Sequence, residues 1–434
     1  MPVWLYEFLL SLAFISYLPS ALMRRRLPHR GWSMRLGRYP AGVLSALSAQ
    51  RSIWLHAVSV GEVLAAQPLI EALLKLEPKT PLILSTVTPG GYDVAKKRFG
   101  SRVIPIFFPL DFRGCVRRAL KTLKPKILIL MESELWPTMI REAHDRSVPL
   151  LVVNGRISAR AFSRYQYVRR WMKPMLDTVD AYLMQSRQDA DRCIALGVPV
   201  HRVEVMGSLK WDASVGSRPT AEALQLLINR LGLKAGHPVI VGGSTHRGEE
   251  RMLLNAFQGV LKKDPAAKLI IAPRHLERVS EVEGIVRNAG LHPTRLSALS
   301  GIAWDVGIVD TFGQLPQYYG LASLVFIGGS LIAHGGQNPL EATSLGKPVI
   351  FGRSMDNFAA IAHQLLAHHA VRQVDGPEEL GRVMEELVAH PEEAAVMGQQ
   401  AREVTERFRG ATQRALSAIT PWLQEERAWP KGYG

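Results

Sequence analysis

The sequence predicts an α/β protein of two doubly wound, Rossmann-like domains facing a cleft, behind an N-terminal helix that anchors it to a membrane. Three observations carry this. Strand-like and helix-like stretches alternate along almost the whole chain, the alternation breaks once and restarts, and the polar motifs fall where strands end. The 434 residues, 47% of them hydrophobic, suffice for two cores. There is no low-complexity tract or solenoid repeat, which excludes disordered and repeat architectures.

The chain opens with "VWLYEFLLSLAFISYLPSALM", Val3 to Met23, apolar apart from Glu7 and a few hydroxyls. About twenty apolar residues can cross a bilayer core. A signal peptide carries its positive charge before the apolar run; here "RRRLPHR" follows it. The positive-inside rule then places Arg24, Arg25, Arg26 and Arg30 in the cytoplasm. Pro19 and Glu7 leave a shallow interfacial anchor as the alternative, and a buried first helix as a third reading. Both membrane readings leave residues 24 onward on the cytoplasmic side, where anionic lipid attracts the arginines.

After this anchor, residues 1–23, a first domain is expected over 24–215. "SIWLHAVSV" reads as a buried strand and "GEVLAAQPLIEALLKL" as a helix with apolar residues three and four apart. "PLILSTVT", "VIPIFFPLD", "ILILMES", "PLLVVNGR", "AYLMQS" and "RVEVMGS" are further strands, with helices such as "FRGCVRRALKTL" and "WPTMIREAHD" between them. The pattern breaks at "SVGSRPTAEAL" and restarts at "PVIVGGST", giving a second domain over 235–405. Residues 406–434 form a helical tail expected to pack back towards the first domain.

Doubly wound sheets bind ligands at the carboxyl ends of their strands, near a switch point, and the motifs follow that rule. Glu62 stands where a strand turns into a helix, so its carboxylate is either a general base or a complement to the helix dipole. "MESELWP" puts Glu132 and Glu134 at another strand end, as positioning carboxylates or helix caps. "NGRISAR" supplies Asn154, Arg156 and Arg160; "GSLKWD" supplies Ser208, Lys210 and Asp212. Their cations suit an anionic substrate. "GGSTHRGEE" resembles a glycine-rich phosphate loop, Gly242 to Ser244, opening a helix. It is neither a Walker A loop nor GxGxxG, so no nicotinamide cofactor is supported. "APRH" places Arg274 at the next strand end. In "HGGQNPLEA", Gly335 and Gly336 permit close backbone approach, a helix begins near Pro339, and Glu341 can accept ribose hydroxyls.

The net charge of +15 and the pI of about 10.0 point to an anionic partner. Cys115 and Cys193 fit no metal-ligand spacing and no disulfide framework, which suits a reducing compartment.

Taken in order, "HAVSVGE", "MESELWP", "NGRISAR", "GSLKWD", "GSTHRGEE", "APRH", "DTFGQL" and "HGGQNPLEA" resemble the 3-deoxy-D-manno-octulosonic acid (Kdo) transferases of lipopolysaccharide synthesis over essentially the whole chain. The resemblance implies a GT-B glycosyltransferase of the inner membrane, facing the cytoplasm. It would move Kdo from CMP-Kdo to a lipid A precursor, with no cofactor, no metal and no nucleic acid. It implies that Glu62 is the general base and that Glu132 and Lys210 support the transition state. It also implies CMP contacts at Pro273 and Arg274, at Gly313, Gln314 and Leu315, and at Asn338, Pro339, Leu340 and Glu341. A donor with one phosphate and one carboxylate can be neutralised by helix N-termini, Lys210 and Arg274. One departure stands out: many members carry Gly-Glu-Arg-aromatic-Gly shortly after the anchor, where this chain reads "LGRYPAG", Leu36 to Gly42. Two rival expectations are a UDP-sugar-dependent lipid glycosyltransferase of the same fold and a non-catalytic, membrane-tethered protein that binds anionic lipid.

Overall fold

The structure is a computed structural model that describes residues 6–8, 10–12, 15–16, 30–47, 50–132, 134–214, 219–234, 236–298 and 304–424. The chain forms two compact units, one of Met1–Ala213 with Arg409–Gly434 and the other of Ser214–Phe408.

The first unit is built on a parallel sheet of seven strands: β1 (Ser52–His56), β2 (Leu82–Thr86), β3 (Ile104–Phe107), β4 (Pro125–Met131), β5 (Leu150–Gly155), β6 (Ala181–Met184) and β7 (Val203–Val205). Their order is β3-β2-β1-β4-β5-β6-β7. Strands covered on both faces read as continuous apolar runs, and β1, β2 and β5 are buried at every position. The period of two sends Ile53 and Leu55 of β1 with Ile127 and Ile129 of β4 to one face. Trp54, Leu128 and Leu130 go to the other. Chain order reverses between β1 and β4, so the switch point of this sheet lies between these two strand ends.

The helix Ala411–Gln424 belongs to this unit and completes one of its two cores. Ala411, Ala415, Ile419 and Leu423 repeat every four residues and pack with Ile53, Leu69 and Leu73. Its start is fixed by Asp212, whose carboxylate accepts the N–H groups of Gly410 at 2.8 Å and Thr412 at 2.6 Å. The sequence offered Asp212 for ligand binding; the structure gives it this capping role.

The second unit repeats the plan with β8 (Val239–Thr245), β9 (Lys268–Pro273), β10 (Pro293–Arg295), β11 (Val306–Ile308), β12 (Leu324–Ile327), β13 (Val349–Gly352) and β14 (Arg372–Val374). The order is β10-β11-β9-β8-β12-β13-β14, again all parallel, with the switch point between β8 and β12.

The expected membrane-spanning helix is not found among the described residues: none of their helices is long and apolar enough to cross a membrane. Most of the stretch from Val3 to Met23 lies outside them. Within it, the Glu7 carboxylate accepts the backbone N–H of Arg113 at 2.6 Å, at the start of the helix Arg113–Leu123. A carboxylate committed to a helix N-terminus fits poorly with a place inside a bilayer core. In "LGRYPAG", Gly37 adopts a positive φ of 75° against the backbone of Cys115, and the Leu36 carbonyl accepts from Arg118 at 2.7 Å.

Candidate active site

In the first unit the chemistry gathers at the β1/β4 switch point. β1 leads into the helix Val60–Leu76, with Glu62 in its first turn. The Glu62 carboxylate accepts the Val58 N–H at 2.8 Å and the Ser59 hydroxyl at 3.2 Å. Those bonds favour its ionised form, as a helix cap would. Burial works against them and is the larger effect, and the charges of Glu132 and Glu134 add to it. The carboxyl is pushed up to about 7. A carboxyl held near 7 can exchange protons at neutral pH, which is what a general base requires.

Glu132 follows β4 and holds a positive φ of 55°, a strained backbone for a non-glycine residue. Its N–H donates to the Val153 carbonyl at 2.9 Å, which ties the strand end to β5. The Glu134 carboxyl is raised, by burial first and by the Glu132 charge, with Trp136 acting the other way. Glu132 and Arg156 also line a small apolar cavity of about 20 Å³ with Leu135, Tyr165 and Tyr182. Asn154 is fully buried, and its side-chain oxygen accepts the Leu209 N–H at 3.0 Å. This bond holds the helix Leu209–Ala213, which carries Lys210 and packs on Val60–Leu76. Sequence reasoning missed Asp111. Burial raises its carboxyl to about 7, but its two oxygens accept the N–H groups of Thr138 and Met139 at 2.9 and 2.8 Å, so it caps a helix.

In the second unit Pro273, Arg274, Gly313 and Leu315 line one cavity of about 100 Å³ with Ser244, Thr311 and Phe312. Phe312 is 77% exposed at the rim of this cavity. Gln314 turns away, its side-chain oxygen accepting from Thr311 at 2.8 Å and Tyr318 at 3.2 Å. Asn338 donates to Glu341 at 3.5 Å, and its own oxygen accepts the Leu340 N–H at 3.1 Å. Burial raises the Glu341 carboxyl, while Asn338 and the Arg274 charge lower it. Leu340 is fully buried, so its side chain packs in the core. The helix there is only Leu340–Thr343, with Pro339 as its N-cap. Gly335 and Gly336 hold positive φ of 87° and 70°, and a Cβ on them would meet Asn357 and Met355. Turn geometry and packing account for both.

The expected phosphate loop is corrected. Gly242 and Gly243 lie inside β8, and the following helix, Glu249–Lys263, begins only at Glu249. A Cβ at Gly242 would strike Leu253, and one at Gly243 the Tyr319 hydroxyl, so both glycines serve packing. Just beyond β8 stands a histidine cluster that the sequence did not single out. The His246 ring lies 3.9 Å from that of His334 and 6.0 Å from that of His275. Burial first, then the neighbouring histidines and Arg274 and Arg278, push His246 down to about 4. The cluster unites residues of three motifs, visible only once β8, β9 and β12 are aligned.

The Asp-x-Asp triplet of the chain, Asp189 to Asp191, is committed elsewhere. Asp189 accepts the Ile157 N–H at 2.9 Å, and Asp191 pairs with Arg187 at 3.0 Å.

A family profile described as 3-deoxy-D-manno-octulosonic-acid transferase (kdotransferase) matches residues 30–213. A Bordetella pertussis 3-deoxy-D-manno-octulosonic acid transferase is 35% identical over 403 residues, which cover 90% of this chain and 91% of that one. The chain belongs to the Kdo transferase family. The Haemophilus influenzae transferase is 32% identical over 377 residues, 86% of this chain and 88% of its own. For this transferase fold, a Rickettsia africae glycosyltransferase is similar with a TM-score of 0.59 at 12% identity, covering 87% of this chain and 100% of that one. A UDP-GlcNAc 2-epimerase from Neisseria meningitidis reaches 0.54 at 13% identity, covering 85% and 100%. These two show the fold alone.

Proposed function

We propose that this Kdo transferase takes Kdo from CMP-Kdo and places it on a lipid A precursor, by inversion and without metal. The observation that carries the mechanism is the Glu62 carboxyl, raised to about 7 at the switch point of the first sheet. In this reading the first unit holds the acceptor chemistry and the second the donor, as in a GT-B enzyme. Glu62 removes the proton from an acceptor hydroxyl as that oxygen bonds to the anomeric carbon of Kdo. The bond from that carbon to the CMP phosphate breaks in the same in-line displacement. CMP leaves as an anion, with Arg274 and Lys210 offsetting its charge. Glu132 and Lys210 support the transition state. Pro273, Arg274, Gly313 and Leu315 hold CMP at their shared cavity, and Asn338 and Glu341 hold its ribose. The +15 charge and the N-terminal segment keep the enzyme on the cytoplasmic face of the inner membrane, where its acceptor lies.

A single-turnover assay with CMP-Kdo and a tetraacyl lipid A precursor tests the reading. The expected result is Kdo-lipid product, inhibited by CMP. Inhibition by UDP but not CMP, or no transfer at all, would overturn it.

A further inference from the structure

The helix Ala159–Leu176 of the first unit has only Leu176 fully buried, although it runs for 18 residues. Its inner side, with Phe162, Tyr165, Met172 and Met175, packs on the core. Its outer side is unusual. Successive helix residues turn by about 100°, so Arg160, Arg164, Tyr167, Arg170, Trp171 and Pro174 fall within about 60° of the direction of Tyr167. All six are exposed, Tyr167 at 90% and Trp171 at 62%. The helix contains five cations and no carboxylate. Lys173 is paired with Asp177, and both Lys173 and Arg169 lie beside Gly197. The three outer arginines make no ion pair with the described residues.

We infer that this outer face is a docking surface for an anionic lipid bilayer, separate from the N-terminal segment. The inference rests on the lipid-acceptor reading only for its choice of a bilayer as occupant; charge and geometry supply the rest. Two aromatic rings that are apolar in body and polar at the tip suit the interface between headgroups and acyl chains. Arginines on either side reach lipid phosphates while their stems cover apolar surface. A helix with this division lies in the plane of the membrane surface. Because it follows β5 directly, it would bring the strand ends that carry Glu132 and Arg156 close to the lipid.

The test uses the full chain. Cys115 and Cys193 are buried, so a cysteine introduced at exposed Ser163, one turn from Tyr167, can be labelled selectively with an environment-sensitive fluorophore. On vesicles of phosphatidylethanolamine and phosphatidylglycerol the label should shift to the blue and become protected from aqueous iodide. On phosphatidylcholine alone it should do neither. A label that stays water-exposed while the protein sediments with the anionic vesicles would overturn the proposal, as would failure to bind them. In a second arm, Arg164→Glu with Arg170→Glu should weaken partitioning onto the anionic vesicles at least about tenfold. It should leave the melting temperature and transfer to a detergent-dispersed acceptor unchanged. Unchanged partitioning would also overturn it. If no transfer occurs with any acceptor yet the label still responds, the Kdo-transfer reading fails and the docking surface stands.

Discussion

Glu62 is held by its own helix and still raised, and this combination makes its role measurable. If it is the base, Glu62→Gln lowers turnover about 10²–10⁴-fold with CMP-Kdo affinity nearly unchanged. Wild-type turnover should climb with pH and level off above about 7, where the carboxylate is ionised. Stability runs the other way. A carboxyl whose folded pKa is raised from 4.5 to about 7 binds its proton more tightly when folded, so its contribution is fullest at low pH and is lost as pH rises through 7. Gln cannot ionise, so Glu62→Gln should melt higher than the parent at pH 8 and near it at pH 5. A helix-capping role predicts the reverse, a lower melting temperature with near-normal turnover. In the second unit, Glu341→Ala should weaken CMP binding by about 1.5–3 kcal/mol, the worth of a hydrogen bond to a charged group. Calorimetry showing unchanged CMP affinity would rule out the ribose role.

The elements explain what the sequence could and could not reveal. β1, β2, β4 and β5 were legible because a strand buried on both faces needs an unbroken apolar run, and few other structures do. Glu62 and Glu132 were legible as strand-end residues for the same reason. The Gly242–Gly243 pair was misread because glycine serves a phosphate loop and a crowded strand equally, and only the positions of Leu253 and Tyr319 decide between them. The His246 cluster was illegible because its members lie on three separate strand ends. Asp212 was taken for a ligand residue because its partners are about two hundred positions away, as Gly410 and Thr412. Asp212→Ala should cost about 0.5–2 kcal/mol, a typical loss for an N-cap, measured by denaturant unfolding. An unchanged midpoint would show that the last helix is fixed by its apolar face alone.

For the whole molecule, one expectation concerns metal. Transfer should survive exhaustive EDTA treatment, and loss of activity restored by magnesium would refute the metal-free displacement. The other concerns the path of the chain. The first unit is made of two separate pieces, with the second unit running between them. A chain ended after Phe408 should therefore lose protection of amide hydrogens in β1 and β4 and keep it in β8 and β12; equal protection in both sheets would show that the last helix is dispensable. The same layout has a consequence for synthesis. The ribosome delivers residues 214–408 complete while the first core still lacks Ala411, Ala415, Ile419 and Leu423. Domains normally finish folding in the order they are made. Here the later one is ready first, and the half that bears Glu62 closes only once residues 411–424 have been made, leaving products cut short before them without a finished first core.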